Sequence, residues 1–144
     1  MTLAYLWLCG LGLCALALMA ACASSGSPTE NQVALGRQVY VANCAACHGP
    51  NGEGEDPNAT APNAQGFYPA PPHDDTGHTW HHPDSQLRHI VREGMPEVPG
   101  FFAAMPAFGD RLSDEDIEAV LAYIKTLWSE EHRQLQAEVS AQSP

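Results

Sequence analysis

The sequence predicts an all-α domain in which three to four helices are connected by long loops. Apolar side chains recur at helical spacing in three segments, and each segment is bounded by a helix-capping or helix-stopping residue. No segment shows the alternation of apolar and polar residues that is typical of a strand. The 144 residues of the chain have the length of a single domain, which we assign to residues 31–129.

The first predicted helix begins at residues 27–30, whose sequence, SPTE, forms a capping box with proline at the first helical position. Beyond this box, five residues separated by three or four positions share one helical face. They are Val33, Gly36, Tyr40, Cys44 and Cys47.

Two more helices are expected in the second half of the chain. One fits residues 84–92, with Leu87 and Ile90 facing inward and Gly94 as its stop. The other begins at Ser113, whose side chain caps an acidic first turn. Its apolar stripe consists of Ile117, Val120, Leu121, Ile124, Leu127 and Trp128. The polar tail, residues 130–144, is expected to fray.

Residues 49–83 contain many glycines and prolines and show no sustained period, so we expect a loop. A loop of this length inside a compact domain is unusual unless it wraps something functional.

The N-terminus is predicted to be a targeting segment. Residues 3–23 form an uncharged, largely apolar run that is about as long as a segment that crosses a bilayer. Residues 1–22 are therefore interpreted as a signal peptide or membrane anchor, and residues 23–30 as a tether. The end of the apolar run, LMAAC, resembles a bacterial lipoprotein signal, in which Cys22 would carry lipid. An uncleaved anchor and full secretion remain alternatives. Each alternative places the domain at the outer face of a bacterial cytoplasmic membrane or in the periplasm.

The charge excludes one class of partner. Six Lys and Arg residues against 17 Asp and Glu give a formal net charge of −11, so the chain cannot build the basic surface that nucleic-acid binding requires. The acidic excess either guides transient docking on a basic face of a partner protein or serves solubility alone.

The chemistry is concentrated in residues 44–48, CAACH, which have the C-x-x-C-H form that attaches a c-type haem. Thiols three residues apart on a helix can each add to one vinyl group of the same porphyrin edge, and His48 would be the proximal iron ligand. A zinc site lacks a second pair of cysteines, and a thioredoxin-type pair lacks its strand and helix unit. A disulfide between Cys44 and Cys47 would close too small a loop to stabilise much.

Met105 is the preferred ligand for the opposite face of the iron. Both Met95 and Met105 precede a proline, and a thioether suits ferrous iron. Met105 lies in a rigid apolar loop, MPAFG, whereas Met95 directly follows the helix stop and is interpreted as ordinary packing.

With these motifs in place, residues 33–128 resemble the class I c-type cytochromes. The resemblance rests on CAACHGPNGEG, MPAFGDRLSDEDI and AVLAYIKTLW. It implies a small cytochrome c fold wrapped around one covalently attached haem c, with Gly36 at a close crossing of the first and last helices and Tyr40 and Tyr123 packed there. It also implies that a proline carbonyl accepts a hydrogen bond from the proximal imidazole, for which Pro62, Pro71 and Pro72 all remain open.

An iron closed by two protein ligands can only exchange single electrons, so we expect an electron carrier of a membrane-associated redox chain and not an enzyme. Its partners would be redox proteins and, through the N-terminal lipid or anchor, the membrane. Residues 73–82 contain four histidines, and within them Trp80 is expected to donate to a haem propionate. The alternative function is a haem-based ligand sensor, or a copper-handling module that uses these histidines. His89 and His132 are expected to be solvated.

Overall fold

The computed structural model describes residues 27–56, 58, 61–98 and 104–143. Within these ranges the chain forms five α-helices and one turn of 3₁₀ helix, Thr79–His81. The helices are α1 (Glu30–Asn43), α2 (Ala45–His48), α3 (Asp84–Glu93), α4 (Asp114–Lys125) and α5 (Glu130–Gln142). The predicted leader, including Cys22, lies outside the described residues.

The all-α prediction is confirmed, and its centre is the crossing of α1 and α4. A side chain at Gly36 would overlap α4, because a Cβ atom there would lie 1.9 Å from the carbonyl oxygen of Ala119. Beside this contact the rings of Tyr40 and Tyr123 pack with their centroids 5.2 Å apart. The close crossing that the resemblance implied is therefore present, and it forms the core together with Val120, Ile124 and Trp128.

Helix boundaries follow their capping residues closely. The capping box predicted at residues 27–30 was wrong, because the N-cap of α1 is Thr29, whose Oγ1 accepts the N–H of Gln32 at 3.2 Å, and Pro28 lies before the helix. The box at the start of α4 is complete, because Ser113 and Asp116 each accept a backbone N–H from the other. α3 extends one residue beyond its predicted end and stops at Gly94, which adopts a φ of 71°.

The expectation of a frayed tail was wrong, because residues 130–142 form α5 and pack back onto the domain. Gln136 is buried, and its side-chain amide donates to Asp84 Oδ1 at 2.6 Å and to the His82 carbonyl at 3.2 Å. The expectation of a solvated His132 was also wrong, since its ring stacks on Trp80 with centroids 3.7 Å apart. A polar segment can dock in this way when its hydrogen-bonding groups find buried partners.

None of the helices within the described ranges is long and apolar enough to cross a bilayer.

Candidate cofactor site

The predicted attachment motif lies where α1 ends and α2 begins. Cys44 is the C-cap of α1, and the N–H groups of Cys47 and His48 both donate to its carbonyl oxygen, at 3.1 and 2.9 Å. Because Cys44 and Cys47 are three residues apart on this single turn, their side chains lie on the same side of it. Neither cysteine forms a disulfide, so both sulfurs are available to add to a porphyrin. Burial, together with the nearby Cys47 thiol, raises the pKa of Cys44 to about 11, so this thiol is uncharged at neutral pH.

The His48 side chain is held in the geometry of a metal ligand. Its ring is buried, and Nδ1 lies 2.9 Å from the carbonyl oxygen of Pro71. A carbonyl can only accept, so Nδ1 carries the proton and Nε2 keeps its lone pair. Burial lowers the pKa of His48 more than the Pro71 carbonyl raises it, which keeps the ring neutral and able to bind iron. Of the three prolines left open by the sequence, the structure places Pro71 at this position.

Hydrogen bonds from α1 and from the following loop keep this turn in place. Tyr40 donates its hydroxyl proton to the carbonyls of Gly49 and His48, at 2.9 and 3.3 Å. The N–H of Gly54 donates to the His48 carbonyl at 2.8 Å. At Gly54 the backbone has a φ of 79°, and a Cβ atom would lie 2.8 Å from the nitrogen of Pro72. The loop of residues 49–83 therefore folds back against residues 44–48, which agrees with the expectation that so long a loop encloses a functional group.

Met105 is positioned by the C-terminal end of α3. The backbones of Met95 and Met105 exchange two hydrogen bonds, at 2.9 and 3.0 Å, and form an isolated antiparallel bridge. Gly94 makes this approach possible, because a Cβ atom there would lie 2.4 Å from the Met105 carbonyl oxygen. Phe108 donates its N–H to the Val91 carbonyl at 3.1 Å. The loop is therefore anchored to α3 and Met95 at Met105 itself and three residues later at Phe108.

Trp80 has the one buried side-chain polar atom without a partner among the described residues, its indole Nε1. An unpaired buried N–H is costly, so such a group points to an acceptor that the polypeptide does not supply. His132 covers one face of the indole, with ring planes 10° apart. His132 Nδ1 in turn bonds Asp75 Oδ1 at 2.7 Å. The orientation of Trp80 is thus fixed by α5, a segment that was predicted to fray.

The histidines of residues 73–82 do not converge on one point. His78 contacts His82 edge to face at 5.5 Å, and His81 contacts Trp80 at 3.7 Å. The ring of His73 stacks instead on that of His48. Within the described ranges, no three His, Cys, Asp or Glu side chains are grouped to hold a metal ion. The copper-handling alternative therefore gains no support from this loop.

The residues present fit a covalently attached haem. The two free thiols, Cys44 and Cys47, are one helical turn apart. The neutral imidazole of His48 has its free lone pair on the nitrogen that does not face Pro71. The buried indole N–H of Trp80 lacks an acceptor, a role that a carboxylate can fill. Sequence reasoning missed His73 as part of the site, because the aperiodic loop gives no signal of which of its histidines folds against His48.

Comparisons with known proteins agree with this chemistry. Residues 33–128 match the sequence model of the cytochrome c family. The chain is 37% identical over 112 residues to cytochrome c6 of Picosynechococcus sp., across 76% of this chain and 86% of that protein. It is 32% identical over 100 residues to the chloroplastic cytochrome c6 of Chlamydomonas reinhardtii, across 69% of this chain and 57% of that protein. The family match ends before α5 begins.

Proposed function

This chain belongs to the cytochrome c family of haem-based electron carriers, and from that premise we propose that it transfers single electrons with His48 and Met105 as the axial ligands of its haem. Family membership implies one covalently bound haem c, which supplies an iron that gains or loses one electron. The observation that carries the proposed ligation is the bond from His48 Nδ1 to the Pro71 carbonyl, which leaves Nε2 free to bind iron.

Each residue of the site has a separate task in this proposal. Cys44 and Cys47 anchor the porphyrin edge through thioether bonds, and His48 supplies the basic proximal nitrogen. Met105, on its anchored loop, supplies a soft thioether that favours the ferrous state and raises the reduction potential. His48 and Met105 would together hold the iron and leave it no position for a substrate, so we expect a carrier and not an enzyme.

Trp80 is proposed to donate its indole N–H to a haem propionate. Its buried Nε1 lacks an acceptor among the described residues, and a propionate carboxylate is the acceptor that a haem would bring. A Trp80→Phe variant keeps most of the apolar volume but removes the donor. We expect this variant to retain its haem and to show an altered pH dependence of the reduction potential, because the ionised propionate loses a hydrogen bond.

The location and partners of the protein are inferred from the sequence. We propose that residues 1–22 direct residues 31–129 to the outer face of a bacterial cytoplasmic membrane or the periplasm, where Cys22 attaches the tether to lipid. The charge of −11 favours a basic docking face on the redox partner, with an association rate that falls as salt increases. Mass spectrometry of the mature protein reports the covalent haem and the acylation together.

The ligation is tested with the matured haem protein and two matched variants, Met105→Ala and Met95→Ala. Met105→Ala is expected to lose the methionine-to-iron charge-transfer absorption of the ferric state, to bind carbon monoxide rapidly when reduced, and to have a lower potential. Met95→Ala should resemble the wild type in all three measurements. Loss of the absorption band in Met95→Ala alone would reverse the assignment. Rapid carbon monoxide binding by the wild type would instead favour a ligand sensor.

A further inference from the structure

His73 lies against the face of the proposed proximal ligand. The rings of His48 and His73 are stacked, with their centroids 4.0 Å apart and their planes 24° from parallel. Both nitrogens of an imidazole lie in the plane of its ring, so contact on the face blocks neither of them. His48 can therefore bond Pro71 through Nδ1, bind iron through Nε2 and contact His73 at the same time.

The His73 ring is itself firmly held. Its Nδ1 lies 2.8 Å from Thr79 Oγ1, and the Thr79 hydroxyl donates to the Pro72 carbonyl at 3.4 Å. Thr79 therefore accepts the proton of His73 Nδ1. The His73 backbone donates to the Gly52 carbonyl at 2.7 Å and accepts from the indole of Trp128 at 2.8 Å. These four contacts leave the ring little freedom to move away from His48.

His73 presents an uncharged π surface to its neighbour. Burial, together with the proximity of His48 and His78, lowers the pKa of His73 to about 3. An aromatic face attracts positive charge, whereas an aliphatic side chain of similar size does not.

We propose that His73 is a positioning residue for the axial ligand. It limits rotation of the His48 ring about the bond between Nε2 and iron, and its π face stabilises the positive charge that spreads onto that ring when the iron is oxidised. The hydrogen bond to Pro71 does not fix this rotation by itself, because carbonyl acceptors tolerate a broad range of donor directions. This inference rests on the proposed ligation by His48.

The test compares three variants of the haem-loaded protein. His73→Leu removes the π face, and His73→Phe keeps an aromatic ring but loses the bond to Thr79. His89→Leu is the control for a histidine-to-leucine change, because His89 is exposed on α3. Each variant is measured for reduction potential, for the paramagnetic shifts of the haem methyl groups in the ferric state, and for thermal stability.

His73→Leu is expected to raise the potential, by about a five- to thirtyfold change in the equilibrium constant for reduction, the size of a cation–π contact that is largely shielded from water. It should also redistribute the haem methyl shifts, which report the orientation of the axial imidazole plane. His73→Phe should keep a potential close to that of the wild type, and His89→Leu should leave both measurements unchanged. If His73→Leu lowers only the thermal stability and leaves the potential and shifts unchanged, His73 is a packing residue and the inference is overturned.

Two further measurements keep the result decisive. If His73→Leu does not accumulate, Thr79→Val removes the anchor while retaining both rings, and unchanged methyl shifts in that variant would overturn the inference. The ferric spectrum of the wild type separates this inference from the proposed function. A wild type without imidazole ligation refutes the ligation itself. Intact ligation with no effect of His73→Leu refutes only the role of His73.

Discussion

Replacing Gly36 with alanine should open the helix crossing on which the site is built. A Cβ atom at this position would lie 1.9 Å from the Ala119 carbonyl oxygen, 2.5 Å from its carbonyl carbon and 2.9 Å from Tyr123 Cβ. The first two are backbone atoms of α4, which cannot rotate out of the way as a side chain can. The added methyl group is therefore accommodated only if the two helices separate.

The size of the effect follows from these distances. Ordinary van der Waals contact begins at 3.4 Å, so the distance from the added Cβ atom to the Ala119 carbonyl oxygen is about 1.5 Å too short. A gap of about 0.5–1 Å already forfeits a quarter to a half of a contact's dispersion energy, and overpacking a core costs about 1–3 kcal/mol or more. Alanine recovers up to about 1 kcal/mol through its higher helix propensity. We expect Gly36→Ala to lower the free energy of unfolding by about 2 kcal/mol.

The assay is denaturant unfolding of the haem-loaded protein, followed by far-ultraviolet circular dichroism. The control is Ala34→Gly, at an exposed position of the same helix, which measures helix propensity without a clash and should cost about 1 kcal/mol. A Gly36→Ala variant as stable as the wild type, or more stable, would refute the reasoning. It would mean that α1 and α4 do not approach as closely as the structure shows.

The remaining predictions concern contacts made by α3 and α5. Burial would raise the pKa of Asp84, but the hydrogen bond and charge of Lys125 outweigh it, so the pKa of Asp84 is lowered. The stability that this carboxylate contributes is full above its unfolded pKa of about 3.9 and is lost as pH falls through the lower folded value. Asp84→Asn should therefore lower the free energy of unfolding near pH 7 and flatten its dependence on pH below 4, and a curve parallel to that of the wild type would contradict this. His132→Ala removes the ring stacked on Trp80 and should cost about 1 kcal/mol in unfolding experiments, whereas His89→Ala, at an exposed site, should cost little. Equal losses in these two variants would show that the stack contributes nothing specific.

Local patterns were sufficient to predict α3 and α4. The residues that begin and end these helices, Ser113 and Gly94, act through neighbours three or four positions away, so their effects can be read from the sequence. The polar tail was wrongly predicted to fray because its contacts are not local. Gln136 is buried against Asp84 and His82, which lie more than fifty residues earlier in the chain. The sequence of α5 by itself does not indicate that these residues are its partners.

For the candidate site, the sequence determined the chemistry and the tertiary structure decided the neighbours. A thiol pair and an imidazole within five consecutive residues predict haem attachment, because one helical turn fixes their relative placement. The fold of residues 49–83 decides which proline faces His48 Nδ1 and which histidine stacks on its ring. The packing of α5 decides which side chain covers Trp80. An aperiodic loop carries no regular spacing from which such distant contacts could be deduced, so only the folded chain reveals them.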